Sequence, residues 1–167
     1  MKILGIDPGT MVMGYGVIES EDDEIALIDF GALVAPESSI GERLSHLYNE
    51  LLEIIQRHQP DAVAVEQPFI SKNVRSAMAI GRAQAIALLA AAGRGIPTYE
   101  YTPAQIKQRV ANYGASSKEQ IQEMVRLQLG LSEIPQPNDA ADALAVAICH
   151  LREIHLSNLL ASQRESQ

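Results

Sequence analysis

Four carboxylates stand out in this sequence because each lies at one end of an apolar segment. Asp7 closes the run that begins at Lys2, and Glu66 closes the run Ala62–Glu66. Asp139 and Asp142 lie three residues apart where an apolar helical pattern begins. Because the two runs are expected to be parallel strands that end at the same edge of a sheet, we expect all four carboxylates to meet there.

A cluster of this kind is suited to hard divalent cations. Carboxylates a few ångströms apart disfavour joint ionisation, and a bound cation removes that penalty. Mg²⁺ prefers carboxylate oxygens, and two such ions about 3.5–4 Å apart stabilise the attacking and leaving oxygens of a phosphodiester. The residue types therefore predict metal-assisted phosphodiester hydrolysis.

The elements that must position these acids are predicted to form an α/β fold. Apolar runs predict strands over 2–7, 14–19, 25–34, 62–66 and 97–101. Helical spacing and capping residues predict helices over 39–58, 71–93, from 103 onward, 117–129 and 138–152. This order predicts a five-stranded mixed sheet flanked by helices, as in the ribonuclease H-like fold. Nucleases, transposases and the sugar-kinase and actin ATPases all use that fold, so it does not decide the function.

Length and composition predict one domain. The 167 residues with 47% hydrophobic content suit a single nuclease-sized domain over 1–155, and the polar residues 156–167 are expected to form a disordered tail. No apolar run approaches the roughly 20 residues of a membrane span, and the first residues show no signal-peptide pattern, so a soluble cytoplasmic protein is expected. The single Cys149 excludes an internal disulfide and is expected to be buried.

The charge is unevenly distributed. The net charge of −8 is by itself unfavourable for binding a polyanion. Residues 67–130, however, hold 8 Lys and Arg against 3 Asp and Glu, an excess of five positive charges. One local basic surface together with bound metal is sufficient for nucleic-acid binding. An ordinary solvated helix surface remains the alternative interpretation of this segment.

Five short motifs occur in order between residue 1 and about residue 152. They are Gly5-Ile6-Asp7-Pro8-Gly9-Thr10 with Gly14-Tyr15-Gly16-Val17; Glu66-Gln67-Pro68-Phe69 with Lys72-Asn73; Lys107-Gln108; Ser117-Lys118; and Asp139-Ala140-Ala141-Asp142-Ala143-Leu144-Ala145. Each motif alone is weak, but together and at these separations they resemble the RuvC family of crossover junction endodeoxyribonucleases, which resolve Holliday junctions.

The resemblance implies a homodimer that binds a four-way DNA junction during recombination and repair. It implies paired Mg²⁺-dependent nicks in strands of like polarity, with ligatable ends, two ions in each active site and Mn²⁺ able to substitute. The family's four catalytic and metal-binding acids match Asp7, Glu66, Asp139 and Asp142. Some relatives carry His at the position of Asp139. The branch-migration proteins RuvA and RuvB are implied as partners.

The resemblance also implies residues that bind DNA. Lys107 and Lys118 match family lysines that contact phosphates near the scissile bond, and Phe69 matches an aromatic residue that stacks on an unpaired base at the crossover. The polar residues Lys72, Asn73 and Arg75 follow Phe69 and are expected to face the same DNA. Surface lysines and a core phenylalanine are the structural alternatives.

The helix predicted after this segment carries a stripe of small residues. The stripe consists of Ala77, Gly81, Ala85, Leu88 and Ala92, at spacings of three and four. Small residues permit close helix contacts, and the family dimer uses this helix. Packing within one chain is an equal alternative from the pattern alone.

Two other functions remain open from the sequence. Asp7-Pro8-Gly9-Thr10 also resembles the phosphate loop of the sugar-kinase and actin phosphotransferases, although those proteins need two such domains. A catalytically silent junction-binding module is the other alternative. A purely structural role is possible for two of the acids, since Asp7 could form a turn and Asp139 could cap a helix. Asp142 and Glu66 lie beside apolar segments, where a carboxylate requires a partner for its charge.

Overall fold

The computed structural model describes residues 1–21, 24–67, 74–112 and 114–165. Its strands are β1 (Lys2–Asp7), β2 (Val12–Glu21), β3 (Glu24–Val34), β4 (Ala62–Glu66) and β5 (Thr98–Tyr101). Its helices are α1 (Ile40–His58), α2 (Val74–Ala92), α3 (Pro103–Ala111), α4 (Lys118–Gln128) and α5 (Asn138–Glu165). The predicted α/β class and the five-stranded mixed sheet are confirmed.

The strands are ordered β3-β2-β1-β4-β5. The first three strands form an antiparallel meander, and β4 and β5 are parallel to β1. Ile6 lies opposite Val65 in the β1–β4 register. Asp7 and Glu66 each follow by one residue, so the two carboxylates leave the sheet at the same edge, as predicted. We call this edge the acidic edge.

Each face of the sheet has its own hydrophobic core. On one face, α1 and α2 cover the apolar residues of β1, β2 and β4. On the other face, α3, α4 and α5 pack against the sheet, and α5 supplies more of the buried residues than any other element. Cys149 lies in this second core and is fully buried, as predicted. The sheet therefore separates α1 from the helices that carry Lys107 and Lys118.

The last helix extends further than the sequence indicated. It was predicted to end near Arg152, with a disordered tail from residue 156, but α5 continues to Glu165. The predicted end near Arg152 was wrong, because Leu156, Leu159 and Leu160 continue a helical spacing and no Gly or Pro interrupts it. All three leucines are exposed, so this last part of α5 adds no buried residues to the core.

Helix α2 combines a buried face with an apolar exposed face. Ala83, Gln84 and Ala87 are buried against the sheet. Val74, Met78 and Leu89 are among the exposed large hydrophobic residues. By length and composition alone, α2 is the one helix among the described residues that is apolar enough to cross a membrane. One of its faces, however, packs on the protein core.

Candidate active site

Two glycines let α5 approach the sheet closely enough to place its acids. A Cβ at Gly14 would lie 1.9 Å from the carbonyl oxygen of Asp139, and one at Gly5 would lie 2.1 Å from that of Ala143. Only glycine fits at such distances. Since Gly14 is paired with Asp7 across β1 and β2, this contact sets the start of α5 beside the acidic edge.

The four predicted acids meet at this edge as an electrostatic cluster. Burial, together with repulsion from Glu66, Asp142 and Asp139, raises the pKa of Asp7 to about 7. Burial also raises the pKa of Glu66 to about 7, with repulsion from Asp142 as the next cause. All four carboxylates are partly buried. The site therefore concentrates negative charge that solvent does not fully screen.

Lys118 lies against this cluster. Its Nζ donates to Oδ2 of Asp142 at 2.6 Å, and that hydrogen bond is the main reason why the pKa of Lys118 is raised. Lys118 opens α4 behind a capping box in which Ser117 and Gln120 exchange hydrogen bonds, as the sequence indicated. The cap fixes where α4 begins, and so it fixes where this ammonium group meets the acids.

Lys107 approaches the same site from α3. The charges of Lys118 and Lys107 partly offset the rise in the pKa of Glu66 that burial causes. Both lysines line a cavity of about 280 Å³ together with Glu66 and Asp142. Ile106 and Ile121 form apolar parts of its wall. The cavity thus brings two predicted phosphate-binding lysines beside two of the predicted acids.

The four carboxylates are suitable ligands for a hard divalent metal ion, although their side chains do not converge on one point. Among the described residues, no three His, Cys, Asp or Glu side chains are grouped closely enough to hold a metal ion. The raised pKa values of Asp7 and Glu66 nevertheless show negative charge in need of a cation, and the ammonium group of Lys118 already binds Asp142. Carboxylate oxygens are the ligands that Mg²⁺ and Mn²⁺ prefer. Asp7, Glu66, Asp139 and Asp142 are the residues that would hold such a metal ion, and their carboxylate chemistry fits it.

The remaining predicted DNA-binding residues are only partly covered. Phe69, Lys72 and Asn73 lie outside the described residues. Arg75 is exposed in the first turn of α2, which follows that segment. Of these four predicted DNA contacts, the structure therefore describes only Arg75.

Sequence reasoning missed a polar network next to Glu66. The carboxylate of Glu100 accepts hydrogen bonds from the amide groups of Gln67 and Gln84. Gln67 directly follows Glu66, and Gln84 lies on the buried face of α2. The network thus ties the end of β4 to α2 through β5. Nothing in the sequence pattern distinguishes Glu100 from an ordinary surface glutamate, so no signal was available.

Comparison with known proteins identifies the family. The family model described as crossover junction endodeoxyribonuclease RuvC matches residues 3–150. The chain belongs to the RuvC family. A RuvC relative from Dehalococcoides mccartyi is 65% identical over 151 residues, which cover 90% of this chain and 92% of the relative. A RuvC relative from Chloroflexus aggregans is 56% identical over 151 residues, with the same coverage of 90% and 92%.

Solved RuvC structures share the fold over almost the whole chain. Thermus thermophilus RuvC in complex with a Holliday junction substrate is 36% identical, with a TM-score of 0.88 and coverage of 94% of this chain and 96% of that one. The yeast mitochondrial Holliday junction resolvase Ydc2 is 15% identical with a TM-score of 0.64, covers 90% of this chain and 78% of that one, and shows the likeness of the fold alone. The predicted ribonuclease H-like fold and the RuvC resemblance are confirmed.

Proposed function

We propose that this chain is a metal-dependent endonuclease that resolves four-way DNA junctions in recombination and repair. Its membership of a family of crossover junction endodeoxyribonucleases supports the reaction class. A RuvC in complex with a Holliday junction, similar over 94% of this chain, supports the substrate class. The observation that carries the proposal is the cluster of four partly buried acids at one sheet edge with two lysines beside it.

The four acids are proposed to hold two Mg²⁺ ions, with Mn²⁺ able to substitute. Asp7 is the natural centre of the set, because its pKa responds to the charges of Glu66, Asp142 and Asp139. When bound, the metal neutralises this charge, polarises the scissile phosphate and lowers the pKa of an attacking water. The protein's own part is to hold the carboxylates at the edge and to keep one wall of the site apolar.

The lysines are proposed to hold the phosphates beside the scissile bond. Lys107 is half-buried, so its stem is held while its charge reaches the site. Lys118 is paired with Asp142, and a metal bound by Asp142 would compete for that carboxylate. If Asp142 held a metal ion, the Lys118 ammonium group would be free to contact the DNA. Phe69, Lys72, Asn73 and Arg75 remain proposed DNA contacts through the family resemblance.

A homodimer is proposed through the outer face of α2. Met78, Ala85 and Leu89 lie on this face at spacings of seven and four residues, and all three are exposed. A Cβ at Gly81 would meet nothing within 4 Å, so the space beside it is open to a second helix. A two-fold dimer would supply two active sites for two strands. Ala77 and Leu88 of the predicted stripe are half-buried and border the face.

Further parts of the proposal rest on the family resemblance. RuvA and RuvB are proposed as partners and the cytoplasm as the site of action. A sugar-kinase or actin-like phosphotransferase is not favoured, because the family match spans residues 3–150. A catalytically silent module is not favoured either, since all four acids are present at the edge.

A synthetic four-way junction tests the proposal. One strand at a time carries a 5′ label, and the products are mapped to the nucleotide with and without Mg²⁺. We expect nicks at symmetric positions in one pair of like strands, only with metal, and ligation of the products without further processing. A linear duplex of the same sequence is the control. Metal-independent cleavage, or equal cutting of junction and duplex, would contradict the proposal.

A further inference from the structure

Arg43 is a partly buried cation that pairs with no carboxylate among the described residues. Its Nη1 donates to the Sδ atom of Met11 at 2.7 Å, and its Nε is buried without a hydrogen-bond partner among those residues. Arg109 and Arg126, whose side chains are 28% and 26% exposed, each bind a glutamate. A thioether is a weak acceptor, so the charge of Arg43 is left without an anion.

The neighbouring acid does not supply that anion. Glu42 precedes Arg43 in α1, but its Oε2 accepts hydrogen bonds from the backbone N–H and the hydroxyl group of Ser39 in a capping box. This arrangement satisfies the end of the helix and directs the carboxylate of Glu42 toward Ser39. Arg43 thus lies in the first turn of α1 with its guanidinium group available to a ligand.

The fold places Arg43 at the acidic edge. Helix α1 follows β3, which ends at Val34 opposite Val12, close to the pairing of Asp7 with Gly14. Met11, which Arg43 contacts, lies in the turn that links Asp7 to β2. Because α1 packs on the opposite sheet face from α3 and α4, Arg43 lies on the other side of the sheet from Lys107 and Lys118, and its contact with Met11 holds it near the turn that follows Asp7.

We propose that Arg43 binds a backbone phosphate of the junction DNA on the α1 side of the acidic edge. A strand that crosses the edge carries a phosphate at every nucleotide, so the phosphates on both sides of the scissile one need cations. The two lysines serve one side and Arg43 serves the other. A guanidinium group forms two parallel hydrogen bonds to a phosphate, far stronger than its bond to sulfur, so exchanging Met11 for DNA is favourable. This inference rests on the proposed junction nuclease function.

The test compares three variants in binding assays. Arg43→Met keeps the apolar stem and removes the charge, and Arg43→Lys keeps the charge. Arg57→Met is the matched control, because Arg57 lies at the opposite end of the same helix with its side chain 61% exposed. Binding to a fluorescent four-way junction is measured without divalent metal at several salt concentrations, and thermal unfolding is measured in parallel.

Arg43→Met is expected to weaken junction binding roughly 3- to 10-fold near 0.1 M salt and to reduce the slope of log K against log salt by about one. Arg43→Lys should keep the wild-type slope, and Arg57→Met should match the wild type. Equal affinities and slopes for Arg43→Met and Arg57→Met would overturn the inference. So would an equal loss for Arg43→Met and Arg43→Lys with an unchanged slope, because that pattern indicates a packing role.

Binding by the wild type distinguishes failure of the proposed function from failure of the role of Arg43. If it fails to prefer the junction over linear duplex, the proposed function fails. If it prefers the junction and Arg43→Met binds as the wild type does, only the role of Arg43 fails.

Discussion

Replacing Asp7 with asparagine is expected to stabilise the metal-free protein, and to do so more strongly as the pH rises. Burial and the neighbouring acids raise the pKa of Asp7 from 3.8 to about 7 in the folded protein. A carboxyl group whose folded pKa is raised favours the folded state at low pH, and that contribution is lost as the pH rises through the folded pKa. Asparagine has the same shape and no charge, so the variant escapes this loss.

The size of the effect follows from the shift. One pKa unit corresponds to about 1.4 kcal/mol, so a shift of about three units corresponds to about 4 kcal/mol at pH 8. At pH 4.5, which lies only slightly above the unfolded pKa of 3.8, ionisation of Asp7 favours the unfolded chain by only about 1 kcal/mol. Groups outside the acidic cluster titrate alike in both proteins and cancel in the comparison.

The assay is urea unfolding of the wild type and Asp7→Asn at both pH values in the presence of a chelator. One protein concentration is used throughout, because dissociation of a dimer would otherwise enter the result. Glu53→Gln, an exposed carboxylate on α1, is the control and should change stability by less than about 0.5 kcal/mol. Added Mg²⁺ should stabilise the wild type more than Asp7→Asn.

Two results would refute this reasoning. If Asp7→Asn were less stable than the wild type at pH 8 without metal, Asp7 would be a structural residue that satisfies the turn after β1. If the stability difference were the same at both pH values, neither burial nor the neighbouring acids would raise the pKa of Asp7 in the folded protein.

Three further predictions follow from other parts of the fold. Gly14→Ala should lower the melting temperature by several degrees and the cleavage rate more than tenfold, because its Cβ would lie 1.9 Å from the carbonyl oxygen of Asp139. Gly41→Ala is the control and should change neither quantity, because a Cβ at Gly41 would meet nothing within 4 Å. Melting curves and a cleavage assay check both variants. Ala85→Arg should give monomers in light scattering while Ser45→Arg, exposed on α1, leaves the mass unchanged; a dimeric Ala85→Arg would contradict the α2 interface. Burial lowers the pKa of His150 to about 4, so neutral His150 favours folding above pH 6.5 and that contribution, about 3 kcal/mol, is lost toward pH 4. His150→Phe should therefore lose less stability than the wild type between pH 7 and 4 in thermal unfolding, and an unchanged pH dependence would contradict this.

The sequence predicted the parts of the fold that depend on local pattern. The run before Asp7 and the run Ala62–Glu66 are short and apolar, and their parallel pairing confirmed the expected shared edge. The capping box at Ser117 was also predictable, because it needs only Ser and Gln three residues apart. These features are set by neighbours in the chain.

Features that depend on distant residues were not predictable. The ion pair between Lys118 and Asp142 joins residues from α4 and α5, and their sequence separation conceals it. The buried hydrogen bond between Tyr101 and His150 likewise joins β5 to α5, and no sequence pattern around His150 indicates it. Tertiary contacts, not local propensity, decide these two cases. The end of α5 is different, because the spacing of Leu156, Leu159 and Leu160 is a local signal that the polar residues around it outweighed.

The most direct test of the central claim is junction cleavage by four single variants that neutralise one acid each. They are Asp7→Asn, Glu66→Gln, Asp139→Asn and Asp142→Asn. Cleavage of a labelled four-way junction in Mg²⁺ is measured for each, and junction binding is measured alongside. We expect every variant to lose cleavage while binding stays intact or tightens, because the acids hold the metal and the basic groups hold the DNA. Near-normal nicking by any two of the four would contradict the claim that these acids form one metal site.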